Sequence, residues 1–423
     1  MPYSTLPAHR RPRPEITDHH EPIEWVAFDD APGGEDEVLV YTIHDGGRVP
    51  RHIWGERTDE VLDLEPLREA FVRERDWGAD RVASHVARRL GLSGFLRVDL
   101  PRFVLDFGRF PGVSTRGDAY LLRRSIFPPV ENLLDEATIH RLMREIYDRI
   151  STVLTERFAR SRLTFAIHTY DRHNASGTLR PEISLVERSM TYQRDSSLPP
   201  YTFDPLFPAL LLESTCDRLV TYRLLLELER AGWHAALDYP YSMPEGSVEI
   251  RAQVWFFFRH LREHFVAARP ETSADGAYQR VWQMLLDVNR RLGDCERLRA
   301  YLHRYRDAPP GQEELYRAAR QAYGEIGTFL AARREELVDG WRFSAERPGC
   351  FGIEVRKDLL IESVDDVLAP RADADETADA IARHVATAVD ELRRTRWQRP
   401  NALRAATPAA GPCAGAVGHL DAS

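Results

Sequence analysis

The sequence predicts an α/β protein: a mixed, mostly parallel sheet flanked by helices, with a helical insertion before the last strand. Three observations carry this. Short apolar runs such as "VLVYTIHDGGRVPRHI" (38–53) and "RLTFAIHTYDRHN" (162–174) alternate with stretches whose apolar residues recur at helical spacing. The runs close on glycine, proline or polar residues that turn the chain. From about 252 to 347 helical stretches follow one another with no strand signal.

The elements follow in order. Residues 1–23 read as a polar, proline-punctuated leader without the apolar core of a secretion signal. Val38–Ile43 is the first strand. "DWGADRVASHVARRLGL" (76–92) places Val82, Val86 and Leu90 on one helical face, with Gly91 as the stop. A strand is expected around Phe103–Phe107, after Pro101. Ala137–Arg160 carries Ile139, Leu142, Ile146, Ile150 and Val153 as an amphipathic helix. A second apolar run then ends on His168.

Ser214–Ala231 reads as a helix closed by Gly232, and "WHAALDYPYSMPEGS" (233–247) as a strand entering a proline- and glycine-rich loop. The insertion, about 252–347, holds helices at Ala252–Ala268, Tyr278–Arg291 and Glu313–Val338. "GCFGIEVRKDLLIE" (349–362) is the last strand and Ala374–Arg396 the last helix. Residues 24–397 are expected to form one catalytic domain. The Ala/Gly/Pro-rich tail, 398–423, is expected to be disordered.

Composition narrows the function. Apolar residues at 43% and charged residues at 29% of 423 allow a large soluble core, and no apolar run reaches membrane-spanning length. A cytoplasmic location is the default expectation. The net charge of -9, with arginines interspersed among acids, argues against a nucleic-acid surface. Lys357 is the only lysine, a mark of GC-rich coding rather than of function. Cys216, Cys295, Cys350 and Cys413 form no CxxC pair, so any metal would be held by histidines and carboxylates.

In open parallel sheets, ligands bind beyond the carboxyl ends of the strands. His44 and His168 each follow an apolar run and precede polar or glycine residues. Each alone fits an ordinary hydrogen-bonded residue at a strand end. Together they suggest a divalent metal, which takes two imidazoles and a carboxylate while keeping a position open.

"TIHDGGRVPRHI", "DWGAD", "RFVLDFGRFPG", "AIHTYD" and "GIEVRKDLL" arrive in the order seen in the N-formylglutamate amidohydrolase family, which the chain resembles as a divergent member. The matching positions are His44, Asp45, Gly46 and Pro50, then Asp76, Gly78 and Ala79, then Arg102, Asp106 and Arg109. His168 with Thr169, and Glu354, Arg356 and Asp358, complete the set. The resemblance implies a hydrolase fold like that of zinc carboxypeptidases (phosphorylase/hydrolase-like) and one Zn²⁺, or Fe²⁺ or Mn²⁺ in its place. His44, Asp76 and His168 would be its ligands. A water there has its pKa lowered from about 15.7 toward 7.

By the same resemblance, Glu354 and Arg109 are the catalytic pair, with Glu354 passing the water's proton to the leaving amine. Arg102, Arg109, Arg356 and Tyr239 would bind the substrate, a guanidinium fork gripping a carboxylate through two hydrogen bonds. Rivals remain at two positions. Asp45 and Asp80 compete with Asp76, which could instead cap a helix, and Glu249 in "EGSVEIRAQVW" competes with Glu354.

Departures from the family pattern are Ile43 for proline, Gly108 for asparagine and Asp238 for the asparagine of an Asn-x-Pro-Phe loop. With the insertion, expected beside the pocket mouth, they point to a substrate other than formylglutamate. The expected function is therefore a metal-dependent amidohydrolase cleaving the C–N bond of an N-acyl or N-formyl amino acid, or a related carboxylate-bearing amide or peptide. The alternatives are a non-haem iron oxygenase using the same donors and a non-catalytic ligand-binding homologue. The expected partner is the carboxylate-bearing substrate, with no nucleic acid and no membrane, leaving room for a homodimer.

Overall fold

The computed structural model describes residues 11–397, apart from 19–20, 30–36, 112–124, 190–202, 245, 304–305 and 365–366. The expected disordered tail, 398–423, and most of the leader lie outside the described residues. Among the described residues seven strands form the main sheet. They are β1 (Ile23–Ala27), β2 (Val38–Thr42), β3 (Gly94–Val98), β4 (Leu163–Tyr170), β5 (Ile183–Val186), β6 (Ala235–Leu237) and β7 (Gly349–Arg356). Their order across the sheet is β1-β3-β2-β4-β7-β5-β6. The pairings β3–β2, β2–β4, β4–β7 and β5–β6 are parallel, while β1–β3 and β7–β5 are antiparallel. The sheet is thus mixed and mostly parallel, as expected.

Strand β2 shows why these runs are continuously apolar. Val38 and Val40 enter one core and Leu39 and Tyr41 the other, so both faces are covered. On the Val38 side lie α1 (Ala79–Arg89) and α3 (Arg218–Arg230), with α8 (Ala374–Leu392) packed against both. On the Leu39 side lie α2 (Asp148–Arg160) and α4 (Val248–Ala268), followed by α5 (Gly276–Leu286), α6 (Gly293–His303) and α7 (Glu313–Ala332). Each aliphatic side chain fully buried here contributes about 1.5–3 kcal/mol.

Two expectations need correction. Phe103–Phe107 is not a strand but a series of turns after Pro101, and the strand is β3, just upstream. Phe103, Val104, Leu105 and Phe107 are still fully buried, so their apolarity reports core packing rather than strand pairing. The insertion starts earlier than expected, at Val248, and includes α6, which the sequence reading missed. Its first turn brings Glu249 near His168. Its polar ties run to α2 (Arg291 to Asp148 at 3.1 Å) and to the 204–206 turn (His303 to Asp204 at 2.9 Å). Upstream, Ile23–Ala27 serves as an edge strand, and Glu15–Thr17 pairs with Arg48–Pro50.

Candidate active site

The parallel block brings the carboxyl ends of β2, β4 and β7 side by side. His44 stands two residues beyond β2, and His168 lies in β4 directly opposite Glu354 of β7. The turn behind His44 depends on Gly46, whose added Cβ would come within 2.3 Å of the Leu100 backbone nitrogen. Only a residue without a side chain lets the chain approach there so closely.

Asp76 is clamped between the same strands. Its amide donates to the His44 carbonyl (3.0 Å), and the Thr169 hydroxyl donates to the Trp77 carbonyl (3.2 Å). Gly78, at φ 85°, then turns the chain into α1. The cap role considered for Asp76 is not the one it plays. Gly78 holds the N-cap position, and the Asp76 carboxylate accepts from His168 Nδ1 at 2.8 Å, with His44 Nδ1 3.7 Å away. One donor atom from each of His44, Asp76 and His168 lies within 4.8 Å of the others.

The rival carboxylates are engaged elsewhere. Asp45 accepts from Arg97 Nε at 3.0 Å, and Asp80 from the Arg81 amide at 2.9 Å. Burial pushes Asp45 up to about 6, with Arg97 opposing.

Asp106, unassigned a role by sequence, is the hub behind His44. It bonds His44 Nε2 at 2.9 Å and accepts from the Gly108 amide at 2.8 Å, while Arg102 Nε stands 3.0 Å and Arg109 Nε 3.4 Å away. Because Asp106 occupies Nε2, the other ring nitrogen of His44 faces Asp76. A Cβ at Gly108 would stand 3.1 Å from His44 Cε1, so the glycine that replaces asparagine leaves this ring its room.

The electrostatics suit a cation. Burial works against charge on Asp76, but bonds from His168 and His44 hold its carboxyl well below the carboxylate range. Burial likewise disfavours a charged His168, yet the bond to Asp76 and the nearby Glu354 hold its imidazolium to about 9. A cluster that keeps a proton so firmly is negative without it. Two imidazole nitrogens and one carboxylate, with a second carboxylate on the far nitrogen of one imidazole, form the donor set and outer support that zinc sites use. The residues present therefore fit a divalent cation.

Both candidate bases lie near His168. Glu354 is buried; burial raises its pKa, and the Tyr241 hydroxyl donates to it. Glu249, in the first turn of α4, accepts from Tyr41 Oη at 2.7 Å. Tyr241 went unassigned because its signal, a tyrosine two residues after Tyr239 in a proline-rich loop, singles out neither ring. That loop turns at Asp238 (φ 51°), whose carboxylate accepts the Glu187 and Arg188 amides at 2.9 and 3.0 Å.

The expected substrate residues separate. Arg102 and Arg109 both sit on Asp106. Arg356 is buried, with Asp358 at 2.7 Å, and Tyr239 is largely exposed with its carbonyl tied to Ser184. No described helix is long and apolar enough to cross a membrane.

Comparison with known proteins follows this geometry. The family model described as N-formylglutamate amidohydrolase matches residues 36–274, which include His44, Asp76, Arg102, Asp106, Arg109 and His168 but stop short of Glu354. No curated protein matches the chain. Two similar solved structures are the gene product Atu2144 from Agrobacterium tumefaciens and the N-formylglutamate amidohydrolase from Ralstonia eutropha JMP134. The first is 14% identical, covering 85% of this chain and 91% of its own, with a TM-score of 0.38. The second is also 14% identical, covering 88% and 98%, with a TM-score of 0.43.

Proposed function

Because the chain belongs to the N-formylglutamate amidohydrolase family, a family of amide hydrolases, we propose that it is a metal-dependent amidohydrolase acting on an N-acyl amino acid or a related carboxylate-bearing amide. The observation that carries this reading is the convergence of His44, Asp76 and His168 within 4.8 Å, with Glu354 opposite His168. A divalent cation held by those three residues supplies Lewis acidity, polarising a carbonyl and lowering the pKa of water.

The chain's own groups do the rest. Asp106 fixes the His44 ring so that Nδ1 faces the cluster. Glu354, its pKa raised by burial, takes the proton from water and returns it to the departing nitrogen, with the Tyr241 hydroxyl holding its carboxylate in place. Arg109, about a third exposed and only loosely paired at 3.4 Å, donates to the oxygen of the scissile carbonyl as charge develops there.

The test is hydrolysis of N-formyl and N-acetyl amino acids by protein treated with chelator and then reloaded with Zn²⁺. Activity should vanish and return. Glu354→Gln should lower kcat about 10²–10⁴-fold while zinc content stays unchanged. Full activity in Glu354→Gln would remove the proton-transfer role, and no turnover of any amide by zinc-loaded protein would favour the ligand-binding homologue.

A further inference from the structure

Most arginines near the site are engaged by acids. Arg102 and Arg109 share Asp106, Arg356 pairs with Asp358, Arg172 lies 3.7 Å from Asp358, and Arg188 lies 3.4 Å from Asp238. Among the described residues Arg75, beside Asp76, has no acid partner but is held by the Asp45 carbonyl at 2.7 Å and by the Trp77 ring. Arg180 has neither an acid nor a close bond among them. It is half-buried, its Nε is shielded from solvent without a hydrogen-bond partner, and its one side-chain bond is a long 3.4 Å contact from Nη1 to the Asp171 carbonyl. No carboxylate pairs with it among the described residues. Withdrawing a guanidinium from water without an anion is costly.

Its backbone is braced. The Arg180 amide donates to the Arg172 carbonyl at 2.9 Å, and the next carbonyl, of Pro181, accepts from Tyr170 Oη at 2.9 Å. This places the side chain at the rim of the carboxyl ends of β4 and β7. The guanidinium carbon lies 5.3 Å from the centre of the Tyr170 ring, which meets Tyr241 edge-on at 6.4 Å. Tyr241 in turn donates to Glu354, and Tyr170 follows His168 by two residues on the same face of the strand. An unpaired, pre-positioned cation thus stands next to the aromatic pair that leads to the base.

We propose that Arg180 binds the carboxylate of the substrate and so selects acidic amides over neutral ones. Arg102, Arg109 and Arg356 were the arginines expected for this task, but their charge is already shared with Asp106 or Asp358. Arg180 offers a charge shared with no carboxylate, and its two terminal nitrogens, one held only by the long bond to the Asp171 carbonyl, form the fork a carboxylate would take. The inference rests on the hydrolase reading for the word substrate, but binding alone can test it.

The experiment titrates glutarate and N-acetyl-L-glutamate, with N-acetyl-L-leucinamide as the uncharged control, into zinc-loaded wild type, Arg180→Gln and Arg180→Lys by calorimetry. Wild type should bind both carboxylates and prefer them to the control. Arg180→Gln should weaken carboxylate binding at least 10-fold, with control binding unchanged. Arg180→Lys should lose several-fold, because an ammonium keeps the charge without the fork. Should Arg180→Gln fail to fold, the lysine variant alone decides. Equal carboxylate affinity in wild type and variants, or no carboxylate binding by wild type, would overturn the proposal. Arginine-dependent binding without turnover of N-acetyl-L-glutamate would leave Arg180 standing and remove the hydrolase reading instead.

Discussion

At the scale of single residues the site is organised by two carboxylates with different tasks. Asp76 faces both imidazoles from within, and Asp106 holds one of them from behind. Neutralising Asp106 takes away the charged acceptor that fixes the orientation of the His44 ring. Asp106→Asn should therefore lower zinc affinity about 10–100-fold, measured by competition with a chromogenic chelator, with the fold retained. Unchanged affinity would mean that packing alone orients His44. Both imidazoles and both carboxylates were visible in the sequence as members of short blocks. The part of Asp106 was not, because it depends on which ring nitrogen faces inward, a fact of three-dimensional placement. The same holds for Tyr241 and Arg180, each of which acts through a neighbour more than a hundred positions away in the chain or across a loop.

At the scale of elements, positioning falls to a few backbone turns. Gly78 starts α1 in the left-handed region and aims the residues before it at His168. A side chain there is strained, and its Cβ would meet Leu360 at 3.1 Å. Gly78→Ala should destabilise the protein by about 1–2 kcal/mol, read from urea midpoints. A stability equal to wild type would show that the turn relaxes freely. The alternation of strands and helices was legible because β2, β4 and β7 are buried on both faces and so read as continuous apolar runs. Phe103–Phe107 misled for the same reason: a buried turn and a buried strand have the same apolar signature. Helix α6 was missed because charged residues interrupt it at Asp294, Glu296, Arg297 and Arg299, and its few buried ones, Cys295, Leu298 and Arg299, give little periodicity.

For the whole molecule, the insertion is part of the core rather than an appendage. Helix α4 contributes Glu249 beside Tyr41 at one end and packs through Phe265 against α5 and α7 at the other. Midway, His260 stacks on Trp341 at 4.2 Å, and its Nε2 is buried without a partner. Burial, aided by His264, lowers the pKa of His260 from 6.5 to about 4. The folded state therefore binds this proton more weakly than the unfolded chain. The neutral ring's contribution is fully present above pH 6.5 and is lost as pH falls from 6.5 through 4. His260→Phe keeps the stacking and removes the titration. Between pH 7 and pH 5 its stability should improve relative to wild type by about 1–2 kcal/mol. A constant difference across that range would mean that the ring titrates normally.

All of the proposed chemistry depends on three side chains from distant parts of the chain sharing one cation. Diffraction at the zinc absorption edge, on crystals of the full chain grown with Zn²⁺, measures this directly. The expected result is one strong anomalous peak about 2.0–2.2 Å from a nitrogen of His44, a nitrogen of His168 and a carboxylate oxygen of Asp76. A peak elsewhere, or none at these residues under saturating zinc, would contradict the account.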